Sequence, residues 1–118
     1  MILVVDDEPS LVEAMTSVLE DEGYSVTTAA DGLAALRALN DGLRPCLAIL
    51  DLMMPSMNGW ELRAAMLADP SLADIPVAIV SAFARGEMST LRPSAVLQKP
   101  FELSEIVKLA DRYCGAPS

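Results

Sequence analysis

The sequence predicts an α/β domain, a doubly wound parallel sheet of five strands in the order 2-1-3-4-5. Two observations predict it. Short apolar runs alternate with amphipathic segments, the pattern of right-handed βαβ units around a parallel sheet. The first, third and fourth runs are apolar throughout, as central strands covered on both faces must be, whereas the second is half polar and the fifth is short, as suits edges. That order places a switch point between the first and third strands, and ligands of such sheets bind beyond the carboxyl ends of the strands there.

Each element has a local reason. Ile2-Leu3-Val4-Val5 is a β-branched-rich run read as a buried strand, and it ends on Asp6-Asp7-Glu8. Pro9 suits a first helical turn, where its missing N–H is no loss. Leu11, Met15, Val18 and Leu19 share one face of a helix from Ser10 to Glu22, with Gly23 as its stop. Ser25 to Ala29 is the second strand. Asp31-Gly32 turns the chain into a helix striped by Leu33, Leu36 and Leu39, ending near Asn40-Asp41-Gly42.

The central stretch is Leu47-Ala48-Ile49-Leu50-Asp51, an apolar strand ending on a carboxylate. Asn58 and Glu61 have the N-cap and N3 spacing of a capping box, so a third helix runs from about Gly59 to Ala68, ended by Asp69-Pro70. Pro76 to Val80 is the fourth strand, followed by Ser81. Only Glu87 to Arg92, between Gly86 and Pro93, has room to be helical next, so a shortened or irregular fourth helix is expected. Ala95 to Gln98 is the fifth strand, followed by Lys99-Pro100. Leu103, Ile106, Val107 and Ala110 stripe a last helix.

Composition narrows the function. The 118 residues suffice for one core and predict a single domain, 1–118. No apolar run approaches a membrane span, no signal peptide opens the chain, and Met1 leads straight into the first strand. A cytoplasmic protein is expected. The net charge of −9, without a basic cluster, argues against direct nucleic-acid binding. The two cysteines, Cys46 and Cys114, show no metal-ligand spacing and are expected to be free thiols. There is no histidine, so imidazole chemistry must come from another protein.

Asp6, Asp7, Asp51, Ser81 and Lys99 all fall at or just after carboxyl ends of strands and would face one crevice. Carboxylates gathered there repel: at ~4 Å and an effective dielectric of ~20, each pair costs about 4 kcal/mol. They must take up protons or hold a cation. An all-oxygen site open to water suits Mg²⁺. A carboxylate can also act as a nucleophile toward phosphorus, with Lys99, Ser81 and the cation neutralising the phosphoryl oxygens. Taken singly, each group has an ordinary alternative. Asp6 and Asp7 could cap the first helix, Asp51 could be a turn residue, Ser81 a loop hydroxyl and Lys99-Pro100 a solvated turn. Met53, Met54 and Met57 read as packing. Trp60 reads as a partly exposed helix residue.

Four markers, in order and at strand ends, resemble the response-regulator receiver domain of two-component signalling, chemotaxis regulators included. They are Val4-Val5-Asp6-Asp7-Glu8-Pro9, Asp51-Leu52-Met53-Met54-Pro55-Ser56-Met57-Asn58-Gly59, Ser81-Ala82 and Lys99-Pro100-Phe101. The resemblance implies a flavodoxin-like fold and a switch with Asp51 as phosphoacceptor. Mg²⁺ would be bound by Asp7, Asp51 and the Met53 backbone carbonyl, with Asp6 acting largely through water. Ser81 and Lys99 would contact the phosphoryl group, and the Lys99-Pro100 bond would be cis. The donor would be a phosphohistidine on a sensor histidine kinase or histidine phosphotransfer protein. The domain would assist its own phosphotransfer and dephosphorylation without being a metabolic enzyme. Homodimer formation, the downstream target and attachment to a longer protein stay open.

The chain also departs from the family. Val96 stands where an aromatic residue usually reports phosphorylation. Met53 and Phe83 occupy positions that tune phosphoryl lifetime, and as apolar residues they are expected to slow hydrolysis. Two alternatives remain, a receiver fold used as a binding module without phosphorylation and an aspartate-based phosphohydrolase. The latter usually carries a second acid where this chain has Met53.

Overall fold

Side chains alternate across a strand, and a strand apolar at every position can therefore supply two cores at once. That is what the sheet does. A computed structural model of the chain describes residues 1–52, 57–81 and 92–115. Its elements are β1 (Ile2–Val5), α1 (Pro9–Asp21), β2 (Val26–Ala29), α2 (Gly32–Asn40), β3 (Leu47–Asp51), α3 (Gly59–Ala68), β4 (Val77–Ser81), β5 (Ala95–Gln98) and α4 (Leu103–Cys114). The strands pair in parallel in the order β2-β1-β3-β4-β5, as expected.

Leu3, Val5, Ala48, Leu50, Val77 and Ile79 face Ala35 and Leu39 of α2 and Leu62 and Met66 of α3. Ile2, Val4, Leu47, Ile49, Ala78 and Val80 face the other way, against Met15 and Leu19 of α1 and Ile106 and Ala110 of α4. The edge strands β2 and β5 are only partly buried. Pro9 opens α1, and Gly23 follows its end with a φ of 97°. Asn58 and Glu61 form the expected capping box on α3.

The structure revises several expectations. In α2 the buried face is Gly32, Ala35 and Leu39, and Leu33 is exposed, because Ala35 and Leu39 pack into the core over the sheet and Gly32 lies against Met57. The shortened fourth helix expected over 87–92 falls outside the described residues but for Arg92. That residue has a left-handed φ of 48° and lies in no helix. The free thiols are also corrected. Cys46 and Cys114 form a disulfide across 68 positions of sequence, with Cα atoms 5.3 Å apart. Parallel strands all start at one edge of the sheet, and a helix returning over the sheet ends at that edge. Cys46 immediately precedes β3 and Cys114 ends α4, so the two meet. Closing so long a loop typically adds about 2–4 kcal/mol.

The same edge carries Tyr24. Its hydroxyl donates to Asp111 Oδ1 at 2.5 Å and stands 2.7 Å from the Gly115 carbonyl. Burial first, then the hydrogen bond and charge of Asp111, push the phenol from 10.0 up to about 12. A raised folded-state pKa means that the folded protein holds this proton more tightly than the unfolded chain. The associated stability is complete below pH 10 and is lost as pH rises through about 12. Chemical denaturation should therefore show the gap between the protein and Tyr24→Phe, about 1 kcal/mol at neutral pH, shrinking over that window.

Gly59 opens α3 against the end of β3. A Cβ there would press on the Asp51 carbonyl and lie 2.8 Å from Leu52 Cα, both of them backbone. Gly59→Ala must displace one segment or the other. It should lower stability by about 1–3 kcal/mol, measured by denaturant unfolding, although alanine is the better helix former.

Candidate functional site

Asp6 directly follows β1, and its backbone N–H donates to the Ala29 carbonyl at 3.2 Å, so the strand's pairing continues to the carboxylate itself. Its Oδ1 accepts from the Glu8 N–H at 3.0 Å, a turn that aims the chain into α1. Asp6 thus forms a turn ahead of α1 rather than capping it, since the N-cap is Glu8 and carries no side-chain cap hydrogen bond. Asp6 Oδ2 faces the crevice. Asp51 is the last residue of β3 and pairs with Val80 of β4. Both carboxylates are buried, with relative exposures of 2% for Asp6 and 5% for Asp51, while Asp7 is exposed.

Lys99 reaches between the two buried acids. Its Nζ lies 3.1 Å from Asp6 Oδ2 and 3.2 Å from Asp51 Oδ2. Burial is the largest single influence on the ammonium and lowers its pKa. The hydrogen bonds and charges of Asp6 and Asp51 together outweigh it, so the net shift is upward and the lysine is held charged. The lysine is not a solvated turn residue. Its backbone N–H donates to the Ser81 carbonyl at 2.9 Å, which fastens the Lys99 turn to the end of β4. The Lys99–Pro100 peptide is cis. Ser81 is fully buried at the end of β4, paired with Gln98 of β5.

One carboxylate oxygen each of Asp6, Asp7 and Asp51 lies within 4.8 Å of the others. Three formal negative charges face one ammonium, which leaves two uncompensated. An all-oxygen donor set with that residual charge and one exposed member fits a hard divalent cation such as Mg²⁺. Leu52 and Met57 each accept a close backbone hydrogen bond. The Gly59 N–H donates to the Leu52 carbonyl at 3.1 Å, and the Gly32 N–H donates to the Met57 carbonyl at 2.9 Å. A Cβ on Gly32 would crowd Met57, so glycine is what lets α2 begin there. A groove of about 540 Å³ runs along α1 from Pro9 to Glu20, and one of about 370 Å³ lies against Glu8 and Leu11. Asp6 and Asp7 line the first, and Lys99, Pro100 and Phe101 the second.

The structure therefore brings together Asp6, Asp7, Asp51 and Lys99, with Ser81 tied to Lys99 through the backbone. The Met53 carbonyl and Phe83 lie outside the described residues. Trp60 is partly exposed, as expected, and Val96 is 41% exposed on β5. Reading the sequence missed Arg63. This arginine is buried inside α3, and its Nη2 donates to the Arg92 carbonyl at 3.1 Å, tying α3 to the approach to β5. Burial, and then the charge of Arg92, lower its pKa. A charged residue on the inner stripe of an otherwise apolar helix face was the available signal.

The chain is similar to known proteins in sequence and in fold. The family model of the response regulator receiver domain matches residues 2–111. The chain is 44% identical over 81 residues to the DNA-binding response regulator MtrA of Mycolicibacterium smegmatis, covering 69% of this chain and 34% of MtrA. It thus spans about a third of that relative's length. It is 37% identical to an uncharacterised 14.6 kDa protein of Leptolyngbya boryana, covering 98% of this chain and 90% of that one. Among solved structures, the response regulator TrrA of Thermotoga maritima, in complex with Mg²⁺-BeF, superposes with a TM-score of 0.82 at 30% identity, covering 95% of this chain and 96% of TrrA. The phosphorylated cyanobacterial phytochrome response regulator RcpA superposes with a TM-score of 0.86 at 23% identity, covering 99% and 95%, and shares the fold. With its parallel sheet, its acidic crevice and a family match over nearly its whole length, the chain belongs to the response regulator receiver domains.

Proposed function

We propose that residues 1–118 act as a single receiver domain, a phosphorylation-dependent switch in which Asp51 accepts a phosphoryl group from a phosphohistidine. The observation that carries this reading is Lys99 shared between buried Asp6 and Asp51, with Asp7 close enough to complete a cation site. Residues 1–118 contain no histidine, and the donor would be the phosphohistidine of a sensor histidine kinase or of a phosphotransfer protein. The grooves beside α1 give such a partner access to the acids. Among the described residues no helix is long and apolar enough to cross a membrane. We take the setting to be the cytoplasm.

In the transfer, an Asp51 carboxylate oxygen attacks phosphorus in line with the phosphorus–nitrogen bond. That bond breaks, and its electron pair leaves with the imidazole. Mg²⁺, which Asp7, Asp51 and the Met53 carbonyl would hold, with Asp6 acting largely through water, would supply charge neutralisation at the phosphoryl oxygens. The residues of the chain do the rest. Asp51 is held at a strand end with little freedom, which favours a fixed line of attack. Lys99 is charged and already beside the Asp51 oxygen, so it can pair with an incoming phosphoryl oxygen without a large search. Ser81, one position beyond the partner of Asp51 on β4, is the hydroxyl in reach to follow that oxygen.

The phosphoryl group favours an active conformation only by as much as it binds that state better. The parts able to respond are the Ser81 end of β4 and the Lys99 turn, already joined by a backbone hydrogen bond. Such a domain assists its own transfer and hydrolysis, and is not a metabolic enzyme.

Incubation with a small phosphodonor and Mg²⁺ should add one stable phosphoryl group by intact mass. Asp51→Asn and metal chelation should each abolish the addition. Continuous turnover of the donor would instead indicate a phosphohydrolase, and an unchanged mass a binding module. Lys99→Met should slow the addition by about a hundredfold while the protein stays folded by circular dichroism. A decay time course should show Met53→Asn losing its phosphoryl group faster than the parent. Equal lifetimes would mean that the apolar residue does not shield the acyl phosphate.

A further inference from the structure

The geometry points to Cys46–Cys114 as a reversible thiol–disulfide exchange site whose closure fastens the last turn of α4 to the start of β3, with a small disulfide of the glutathione type as co-reactant. It goes beyond the phosphoryl switch and uses none of its residues. These are the only two cysteines in the chain, so a single intramolecular pairing exists and no reshuffling competes with it. Their Cα atoms are 5.3 Å apart, inside the range a disulfide spans without backbone movement. Both residues are half-buried at the edge of the core between the sheet, α1 and α4, within reach of a small reagent.

The other fastenings of that turn survive reduction. Tyr24 donates to Asp111 and lies beside the Gly115 carbonyl, and the Tyr113 hydroxyl donates to the Ser94 carbonyl at 2.9 Å. Ile106 and Ala110 remain packed in the core. The dithiol form is therefore a folded protein whose α4 terminus is held by a few polar contacts, and the disulfide form has the same terminus covalently tied. The acidic crevice lies at the opposite edge of the sheet. The start of α4 follows the Lys99 turn directly, so the bond acts on the far end of the helix that begins beside the site.

The chemistry balances as two exchanges. One protein thiolate attacks the small disulfide, forming a mixed disulfide and releasing one small thiol. The second protein thiolate attacks the protein sulfur of that mixed disulfide and releases the other. Two protein thiols lose two protons and two electrons, and one small disulfide becomes two small thiols. In a reducing compartment the dithiol is the resting form, and the bond closes when small disulfides accumulate.

The test equilibrates the full chain in buffers spanning a wide range of glutathione to glutathione disulfide. Samples are acid-quenched, alkylated and weighed intact, and amide hydrogen exchange is followed in the two end states. We expect two-thiol and no-thiol forms that interconvert with one midpoint. Exchange at residues 111–115 should be at least about tenfold slower in the oxidised form, with β1 and β3 unchanged. The Cys46→Ser/Cys114→Ser variant should exchange like the reduced form, and the rate of phosphorylation at Asp51 should be the same in all three. Thiols that stay free at the most oxidising ratio overturn the proposal, as does a bond that stays closed at the most reducing ratio. Equal exchange in both end states, or a double variant that exchanges like the oxidised form, does the same.

Discussion

The crevice rests on one ammonium group held between two buried carboxylates. Asp6 and Asp51 come from neighbouring strands and are almost wholly withdrawn from water. Two such charges side by side oppose folding unless something positive stands between them. Lys99 does so from a third strand end, at 3.1 and 3.2 Å. It leaves the exposed Asp7 and the remaining formal charge beside it, which suits the crevice to a cation. The lysine is thus a structural counter-ion to the two buried acids.

The parallel sheet decides where everything else can be. Because β1, β3, β4 and β5 run the same way, their carboxyl ends form one rim, and residues 6, 51, 81 and 99 converge there from distant positions in sequence. The opposite rim gathers strand starts and helix ends and serves attachment. Tyr24, Asp111, Ser94, Tyr113 and the Cys46–Cys114 bridge all secure the end of α4 to that rim. The two rims divide the labour, one kept polar and open, the other cross-linked.

Close backbone approach is the second requirement of the crevice. Gly59 and Gly32 lie where a methyl group would strike backbone, Gly59 against Asp51 and Leu52 and Gly32 against Met57. Two residues stand out around this tight frame. Val96 is a small exposed residue on the edge strand, and no bulky ring stands there to rotate. Buried Arg63 instead ties α3 to the Arg92 carbonyl at the approach to β5.

Much of this was legible in the sequence, for a local reason. Hydrophobic periodicity marks each strand and helix, continuous apolar runs mark the central strands, and the Asn58/Glu61 spacing marks the start of α3. Strand order and direction then bring the acids and Lys99 to one rim, so the crevice could be read as well. What eluded the sequence depends on distances between elements. Which face of α2 turns inward was settled by the packing of Ala35 and Leu39 over the sheet and by the close approach of Gly32 to Met57, leaving Leu33 outside. The pairing of Cys46 with Cys114 needed the knowledge that a strand start and a helix end share an edge at 5.3 Å. Periodicity assigns a residue to an element and a face, but contact between residues 68 positions apart exists only once the helices have packed and fixed the spacing.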